Sequence, residues 1–122
     1  MTKRILVVED HEDNRQILRD LLGAAGFEIL EAHDGPSAHP TASAERPDLI
    51  LMDIQLPGID GYEATRRIKA DPSLAATPII AVTSYALSGD EEKARLAGCN
   101  AYVAKPYSPR QLLAKIREFL PP

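Results

Sequence analysis

Short apolar runs, each about the length of a β-strand, recur along this chain and constrain its fold more than any other feature. Continuous apolar runs are typical of strands buried on both faces, as in a parallel sheet covered by helices. Four of the five runs end on residues that can bind phosphate or a metal ion. These runs are 5–8 before Glu9 and Asp10, 49–52 before Asp53, 79–82 before Thr83 and Ser84, and 102–104 before Lys105. The sequence therefore predicts a parallel α/β sheet with polar residues at its strand ends.

The polar residues that follow the runs are expected to meet at one edge of the sheet. All strands of a parallel sheet end at the same edge, and ligands bind in the crevice outside it. Three carboxylates, a hydroxyl pair and one lysine would converge there from positions between Glu9 and Lys105. Each residue alone has an ordinary explanation, such as a turn or a helix cap. As an ordered set at the strand ends, they predict a functional site.

Helix-like segments separate the apolar runs, which predicts a β-α unit repeated five times. The first helix is predicted at 12–25, where Gly26 supplies a stop, and the second strand at 27–32. Another helix is predicted over 61–70, with Asp60 as its N-cap. The apolar stripe expected on the first helix consists of Ile17, Leu18, Leu21, Leu22 and Ala25.

Capping boxes mark the predicted starts of the last two helices. One box spans Ser88 to Glu91, before a helix that is expected to end near Gly98. The other spans Ser108 to Gln111 and has proline at the favoured first helical position. The apolar stripe expected on the last helix consists of Leu112, Leu113, Ile116, Phe119 and Leu120.

The second helix departs from this regular pattern. It is expected at roughly 35–46, yet His39 and Pro40 lie in its middle. Proline in a helix interior removes a backbone hydrogen bond and clashes with the preceding turn, at a cost of about 3 kcal/mol. We expect this helix to be kinked, shortened or partly unwound.

The bulk properties of the chain predict a cytoplasmic protein. Its 122 residues suit a single domain spanning 1–122, and Met1 before the first strand and the final double proline favour a complete chain. A net charge of −4 argues against direct DNA binding. The apolar runs are far shorter than the roughly 20 residues of a membrane span. A single cysteine, Cys99, suits a reducing compartment.

The clustered carboxylates predict a site for a hard cation. Glu9, Asp10 and Asp53 would repel one another, and Mg²⁺ relieves such repulsion while it keeps several waters. Lys105 can neutralise a phosphoryl group, and Thr83 can donate a hydrogen bond to it. Asp53 stands alone at the end of the central run and is the candidate nucleophile, since carboxylates form acyl phosphates.

Four short motifs carry a resemblance to a known family. They are Val-Val-Glu9-Asp10, then Leu-Met-Asp53-Ile-Gln-Leu-Pro-Gly-Ile-Asp-Gly61, then Ala-Val-Thr83-Ser84, and finally Tyr102-Val-Ala-Lys105-Pro106. Together these motifs are highly specific. The sequence resembles the receiver domain of two-component response regulators over its whole length, in particular single-domain regulators of the chemotaxis or cell-cycle type.

The resemblance implies a flavodoxin-like (βα)₅ fold with a doubly wound parallel sheet in the order 2-1-3-4-5. It implies that Asp53 accepts phosphate from a phosphohistidine with the help of Lys105. The ligands implied for Mg²⁺ are Glu9, Asp10, Asp53 and the backbone carbonyl of Gln55. Thr83 would report the phosphoryl group, and Tyr102 would change rotamer on activation. The peptide bond between Lys105 and Pro106 would be cis.

The resemblance also implies the partners. A histidine kinase, a histidine phosphotransfer protein or both would supply the phosphate. A downstream protein would dock on the surface formed by the fourth helix, fifth strand and fifth helix, which is also a candidate surface for a homodimer. Direct DNA binding and membrane association are not expected.

Some residues differ from the family's commonest pattern or have no role in it. His39 stands where leucine is usual, and Tyr85 is bulky enough to shade the site from water. His11 follows the acidic pair, and a lone loop histidine is usually solvated rather than a metal ligand.

Three other functions compete with a free-standing phosphorylation switch. The first alternative is a receiver fragment of a hybrid histidine kinase or multidomain regulator, which would carry the same motifs. A phosphatase of the haloacid dehalogenase type would need an aspartate at position 55, where this chain has Gln55. A flavin-binding module would need a phosphate loop after the first strand, where the acidic residues from Glu9 to Asp13 would repel phosphate.

Overall fold

The computed structural model describes residues 2–83 and 90–122. Within these ranges, five strands alternate with five helices. The strands are β1 (Arg4–Val8), β2 (Glu28–Ala32), β3 (Leu49–Asp53), β4 (Ile79–Thr83) and β5 (Ala101–Ala104). The helices are α1 (Glu12–Ala24), α2 (Gly35–Glu45), α3 (Gly61–Lys69), α4 (Asp90–Ala97) and α5 (Pro109–Phe119). The predicted elements are confirmed, with bounds that differ by one or two residues.

The strands form one parallel sheet in the order β2-β1-β3-β4-β5. The flavodoxin-like strand order implied by the sequence is thereby confirmed. Every residue of β3 and β4 is buried, as the apolar runs predicted. From β1 the strand order first runs outward to β2, and from β3 it runs to the opposite edge through β4 and β5. The crevice between β1 and β3, where the order changes direction, is where ligands bind in open α/β sheets.

Two layers of helices cover the sheet. Alternate side chains of β1, β3 and β4 pack against α2, α3 and α4 on one face, and the intervening side chains pack against α1 and α5 on the other. The residues that α1 and α5 bury most completely are Leu22, Leu112 and Ile116. No helix in the described part of the chain is long and apolar enough to cross a membrane.

The predicted apolar stripe on α1 is wrong for one residue, Ile17. Ile17 is 61% exposed, whereas Leu18 and Leu22 are buried. The stripe on α1 is thus narrower than the apolar pattern predicted, because Leu18 and Leu22 are buried and Leu21 and Ala25 pack at the border of the same core, but Ile17 does not. Ile17 instead borders a cleft beside Lys105.

The second helix is continuous despite its internal proline. Helical residues run without interruption over Gly35–Glu45 with Pro40 inside, so the prediction of shortening or partial unwinding is wrong. The carboxylate of Asp34 accepts a hydrogen bond from the N–H of Ser37 and caps the helix start. The helix packs on the sheet through Ala38 and Ala42, which are both fully buried.

Helix starts elsewhere follow their sequence signals. Asp60 accepts a hydrogen bond from the N–H of Glu63 at the start of α3. Ser108 and Gln111 form the predicted capping box of α5. The other predicted box includes Ser88, which lies outside the described residues. Gly98 follows the end of α4 with φ +110°, a conformation that favours glycine.

Candidate functional site

Three charged side chains from three different strand ends meet at the carboxyl edge of the sheet. Lys105 Nζ lies 3.4 Å from Glu9 Oε1 and 3.7 Å from Asp53 Oδ2. Glu9 is only 3% exposed and Asp53 only 7% exposed. The structure therefore brings these residues together as the sequence predicted, and shields the two carboxylates from water.

Asp53 is fixed by the turn that follows β3. Its Oδ1 accepts a hydrogen bond of 3.0 Å from the N–H of Gln55. The N–H of Gly61 donates to the carbonyl of Ile54 and closes the loop against the start of α3. A Cβ atom at Gly61 would overlap the carbonyl oxygen of Asp53, so only glycine fits there. Gln55 itself is exposed beside the site.

The same loop is confined on its other side by the start of α2. The N–H of Gly35 donates to the carbonyl of Pro57. A Cβ atom at Gly35 would overlap the carbonyl oxygen of Ile59. The loop over 54–60 is therefore in close contact with the first turns of two helices at Ile54 and Ile59, whereas its remaining residues are mostly exposed.

An arginine that the sequence analysis did not single out holds the loop after β1. Arg15 is 7% exposed, and its Nη1 donates a hydrogen bond of 2.9 Å to the backbone carbonyl of Glu9. Its Nε lies 3.2 Å from Glu31 Oε1. An arginine on the first helix carries no local signal of this role, because the contact depends on where β2 places Glu31.

Burial and mutual repulsion perturb the two buried carboxyl groups in opposite directions. Burial, followed by the negative charge of Glu9, raises the pKa of Asp53 to about 6, although Lys105 and the N–H of Gln55 oppose the shift. Burial also tends to raise the pKa of Glu9. Hydrogen bonds from the N–H of His11 and from Asp53, together with Lys105, outweigh it and leave that pKa below its usual value. Ionisation of both carboxyl groups at once is therefore unfavourable at this site.

The donor atoms at this edge fit a hard dication. Carboxylate oxygens come from Glu9, Asp10 and Asp53, and oxygen is the ligand type that Mg²⁺ prefers. Asp10 Oδ1 is buried, and no donor among the described residues makes a hydrogen bond to it. A bound cation would satisfy this oxygen and offset the repulsion that raises the pKa of Asp53.

Thr83 and Tyr102 lie on the Lys105 side of the site. Thr83 is the last residue of β4 and is 3% exposed. Its carbonyl accepts a hydrogen bond of 2.7 Å from the N–H of Lys105. Tyr102 pairs with Ala81 across the strands, so it lies on the same sheet face as Thr83, one pleat earlier. The predicted companions Ser84 and Tyr85 lie outside the described residues.

The turn after β5 shapes the mouth of the site. The peptide bond between Lys105 and Pro106 is cis, as predicted. Tyr107 follows, and burial together with the charges of Glu9 and Asp53 raises the pKa of its hydroxyl. A cleft of about 460 Å³ opens beside Lys105, lined also by Asn14, Ile17 and Tyr107. Sequence reasoning assigned Tyr107 no place at the site, because nothing local indicates which way the turn directs its ring.

Comparison with known families and sequences gives one consistent result. The sequence model of the response regulator receiver domain matches residues 5–117. The polar-differentiation response regulator DivK of Brucella ovis is 45% identical over 120 residues, which cover 98% of each chain. The family predicted from the motifs is confirmed.

Solved structures of similar fold agree. The receiver domain of a sensor histidine kinase from Pseudomonas aeruginosa, with a magnesium ion coordinated in its active site cleft, has a TM-score of 0.91 and 38% identity. The alignment covers 98% of each chain. The chemotaxis protein CheY4 of Vibrio cholerae has a TM-score of 0.92 and 26% identity, over 98% of this chain and 99% of that one.

Proposed function

We propose, since the chain belongs to the response regulator receiver domain family, that it is a phosphoacceptor switch in which Asp53 carries the phosphoryl group. The observation that supports Asp53 most directly is its position: a buried carboxylate at the end of the central strand, 3.7 Å from Lys105 Nζ. Residues 1–122 are proposed to act as a single receiver domain.

In the proposed reaction, a carboxylate oxygen of Asp53 attacks the phosphorus of a phosphohistidine. The new bond is an acyl phosphate O–P bond, the N–P bond of the donor breaks, and the released imidazole nitrogen takes a proton from solvent. Lys105 stands beside both Asp53 and Glu9, so it is positioned to pair with the phosphoryl oxygens once they arrive. Its positive charge favours the developing negative charge on the transferred group.

The proposed ligands for Mg²⁺ are Glu9, Asp10, Asp53 and the backbone carbonyl of Gln55. When bound, the ion neutralises the carboxylates and the phosphoryl oxygens. The ionised form of Asp53 is the nucleophile, and burial together with Glu9 makes that form less favourable than in a free aspartate by raising its pKa to about 6. The Oδ1 atom of Asp10 supports the same ligand set, because it is buried and accepts no hydrogen bond from the described residues.

We propose Thr83 and Tyr102 as the residues that register phosphorylation. Thr83 ends the strand next to Asp53 and is linked to Lys105 through its backbone carbonyl. A hydrogen bond from its hydroxyl to the phosphoryl group would draw the end of β4 toward the site. Tyr102 lies on the same sheet face and is half-buried, so it has room to change rotamer.

The proposed partners are a histidine kinase or histidine phosphotransfer protein as donor, and a downstream protein as target. The surface of α4, β5 and α5 is proposed as the docking surface for that target and as a candidate homodimer surface. Leu96 on α4 supports this assignment, because it is a large apolar side chain that is 71% exposed. We propose a cytoplasmic protein that does not bind DNA directly, in keeping with its net charge of −4.

We also propose that the chain is not an enzyme with a separate substrate. Its chemistry would be limited to gaining and losing its own phosphoryl group. Gln55 offers an amide where a phosphatase of the haloacid dehalogenase type needs a carboxylate, and its side chain is exposed.

Incubation with acetyl phosphate tests the assignment of Asp53. With Mg²⁺ present, the intact mass should increase by one phosphoryl group, and without Mg²⁺ the adduct should be largely absent. Asp53→Asn should prevent the adduct, because an amide oxygen is a far weaker nucleophile than a carboxylate.

The matched control is Asp48→Asn, at a carboxylate just before β3 and away from the site, where it accepts a hydrogen bond from the N–H of Arg4. This variant should still take up phosphate. An adduct of equal yield in Asp53→Asn would contradict the assignment.

A further inference from the structure

His11 lies against the carboxylates of the acidic pair, although the sequence analysis interpreted it as a solvated loop residue. Its Nδ1 is 3.2 Å from Asp10 Oδ1 and 3.6 Å from Glu9 Oε2. One donor atom from each of Glu9, Asp10 and His11 lies within 4.8 Å of the other two. The buried oxygen of Asp10 that lacks a hydrogen bond is the one nearest the imidazole.

These separations suit ligands of a single metal ion. In an octahedral complex with bonds of about 2.1 Å, neighbouring ligand atoms are about 3.0 Å apart and opposite ones about 4.2 Å apart. The distances from the His11 nitrogen to the two carboxylate oxygens are slightly longer than the neighbouring distance. A contraction of a few tenths of an ångström would bring the imidazole nitrogen to the spacing of neighbouring ligands from each carboxylate oxygen.

The His11 side chain is free to make that adjustment. It is 71% exposed, and it lines an open cleft of about 360 Å³ together with Glu12, Asp13 and Asn14. As the N-cap residue of α1, it makes no side-chain capping hydrogen bond. Nδ1 carries a lone pair when the ring is neutral and has its proton on Nε2. Rotation of an exposed ring costs little free energy compared with binding an ion.

We propose that His11 supplies a nitrogen ligand to the cation held by Glu9 and Asp10, so that this site prefers a first-row transition dication such as Ni²⁺ to Mg²⁺. This inference rests on the metal site of the proposed function and extends it. Imidazole is a favourable ligand for Zn²⁺, Cu²⁺ and Ni²⁺, whereas Mg²⁺ prefers carboxylate, carbonyl and water oxygens. A site of carboxylates alone discriminates less between these ions than a site with one nitrogen.

Metal titrations of the untagged chain test the proposal. Isothermal titration calorimetry with NiCl₂ and MgCl₂ should show that His11→Asn weakens Ni²⁺ binding at least about tenfold and changes Mg²⁺ binding by less than about threefold. His33→Asn removes an exposed histidine on the loop after β2 and is the matched control; it should alter neither affinity. A second readout is nuclear magnetic resonance, in which substoichiometric paramagnetic Ni²⁺ should broaden the His11 ring signals before those of His33 and His39.

Two results would overturn the proposal. Equal losses of Ni²⁺ and Mg²⁺ affinity in His11→Asn would mean that the ring only orders the loop. No loss of either would mean that His11 is an ion-pair partner of the carboxylates and never a ligand.

The outcome can be separated from that of the proposed function. Phosphorylation of the unmodified protein with Mg²⁺ and no effect of His11→Asn on Ni²⁺ binding would refute the ligand role alone. A His11-dependent preference for Ni²⁺ in a protein that acetyl phosphate does not modify would refute the phosphoacceptor role alone.

Discussion

At the residue scale, His39 forms a contact that the sequence analysis did not foresee. Its Nε2 lies 2.9 Å from Asp71 Oδ2, in the turn after α3. Asp71 also accepts hydrogen bonds from the N–H and the hydroxyl of Ser73. The His39 ring, and then Ser73, lower the pKa of Asp71 to about 2. His39 stands where the family usually has leucine. It thus links α2 to the turn after α3 through a polar contact.

This link should make stability depend on pH in the acid range. A carboxyl whose pKa falls on folding stabilises the folded state above its unfolded value, here 3.8, and loses that contribution as pH falls toward 2. Asp71→Asn should therefore be less stable than the unmodified protein at pH 5. The difference should shrink below pH 4 and close near pH 2. Urea denaturation at a series of pH values measures it.

The control for this prediction is Glu28→Gln, which removes an exposed carboxyl group from β2. Its effect on stability should be small throughout the same range. If the deficit of Asp71→Asn were unchanged between pH 5 and pH 2.5, the carboxylate would not be the stabilising form.

At the element scale, α2 has a much weaker basis for stability than α5. It buries only the small side chains of Ala38 and Ala42, whereas α5 buries Leu112 and Ile116. Pro40 has no N–H to donate to the carbonyl of Pro36, one turn earlier. Since each buried methylene group contributes about 0.8 kcal/mol, the alanine contacts stabilise α2 far less than the larger side chains stabilise α5.

Amide hydrogen exchange should therefore be faster in 36–46 than in 112–120, because local opening of α2 costs less free energy. Pro40→Ala should slow exchange in 36–46 and raise the free energy of unfolding by roughly 1 kcal/mol, since it restores a helical hydrogen bond. Native-state exchange followed by mass spectrometry compares the two segments directly.

Pro36→Ala provides the matched control for the second helix. Pro36 lies in the first turn, where an N–H has no helical acceptor, so alanine gains no hydrogen bond there. If amides in 36–46 and 112–120 exchanged equally slowly in the unmodified protein, α2 would be as stable against local opening as α5. The proposed order of stability would then be wrong.

The second helix also shows where sequence reasoning failed at this scale. Proline at position 40 predicted shortening or partial unwinding, yet the helix is continuous over Gly35–Glu45. Contacts from outside the helix override its local preference: Asp34 caps the start, Ala38 and Ala42 pack on the sheet, and His39 reaches Asp71. Such tertiary contacts cannot be derived from the spacing of residues within the helix.

At the scale of the whole molecule, the carboxylate cluster that suits the site to bind a cation also destabilises the folded protein. Glu9 and Asp53 are buried side by side, and Asp10 Oδ1 is buried with no hydrogen bond from the described residues. An unsatisfied buried polar atom costs about 1–3 kcal/mol. Without a cation, only the nearby His11 ring can offset this cost in the folded protein, whereas the unfolded chain exposes the same groups to water.

Asp10→Asn should consequently raise the melting temperature in the presence of a chelator. A gain of about 1 kcal/mol corresponds to a shift of roughly 4 °C for a domain of this size. The same change should weaken Mg²⁺ binding and reduce the stabilisation that saturating Mg²⁺ provides. Differential scanning calorimetry with chelator and with Mg²⁺ measures both effects. A lower melting temperature of Asp10→Asn in chelator would mean that Asp10 is structural.

The fold and the main site were accessible from sequence because strand ends are easy to locate. Apolar runs fixed the ends of β1, β3, β4 and β5, and a parallel sheet brings such ends to one edge. The convergence of Glu9, Asp53 and Lys105 followed from this rule alone. Arg15, Tyr107 and His39 were missed because their contacts depend on the directions of side chains across separate elements.

The two glycines that flank the turn after β3 have a mechanical consequence. A moving segment needs empty volume to move into, and there is no room for even a Cβ atom between Gly61 and Asp53 or between Gly35 and Ile59. The nearest obstructing atoms are the backbone carbonyl oxygens of Asp53 and Ile59, and backbone yields less readily than side chains. We therefore expect a displacement that begins at Asp53 to be taken up mainly on its other side, where Lys105 and the end of β4 lie beside it.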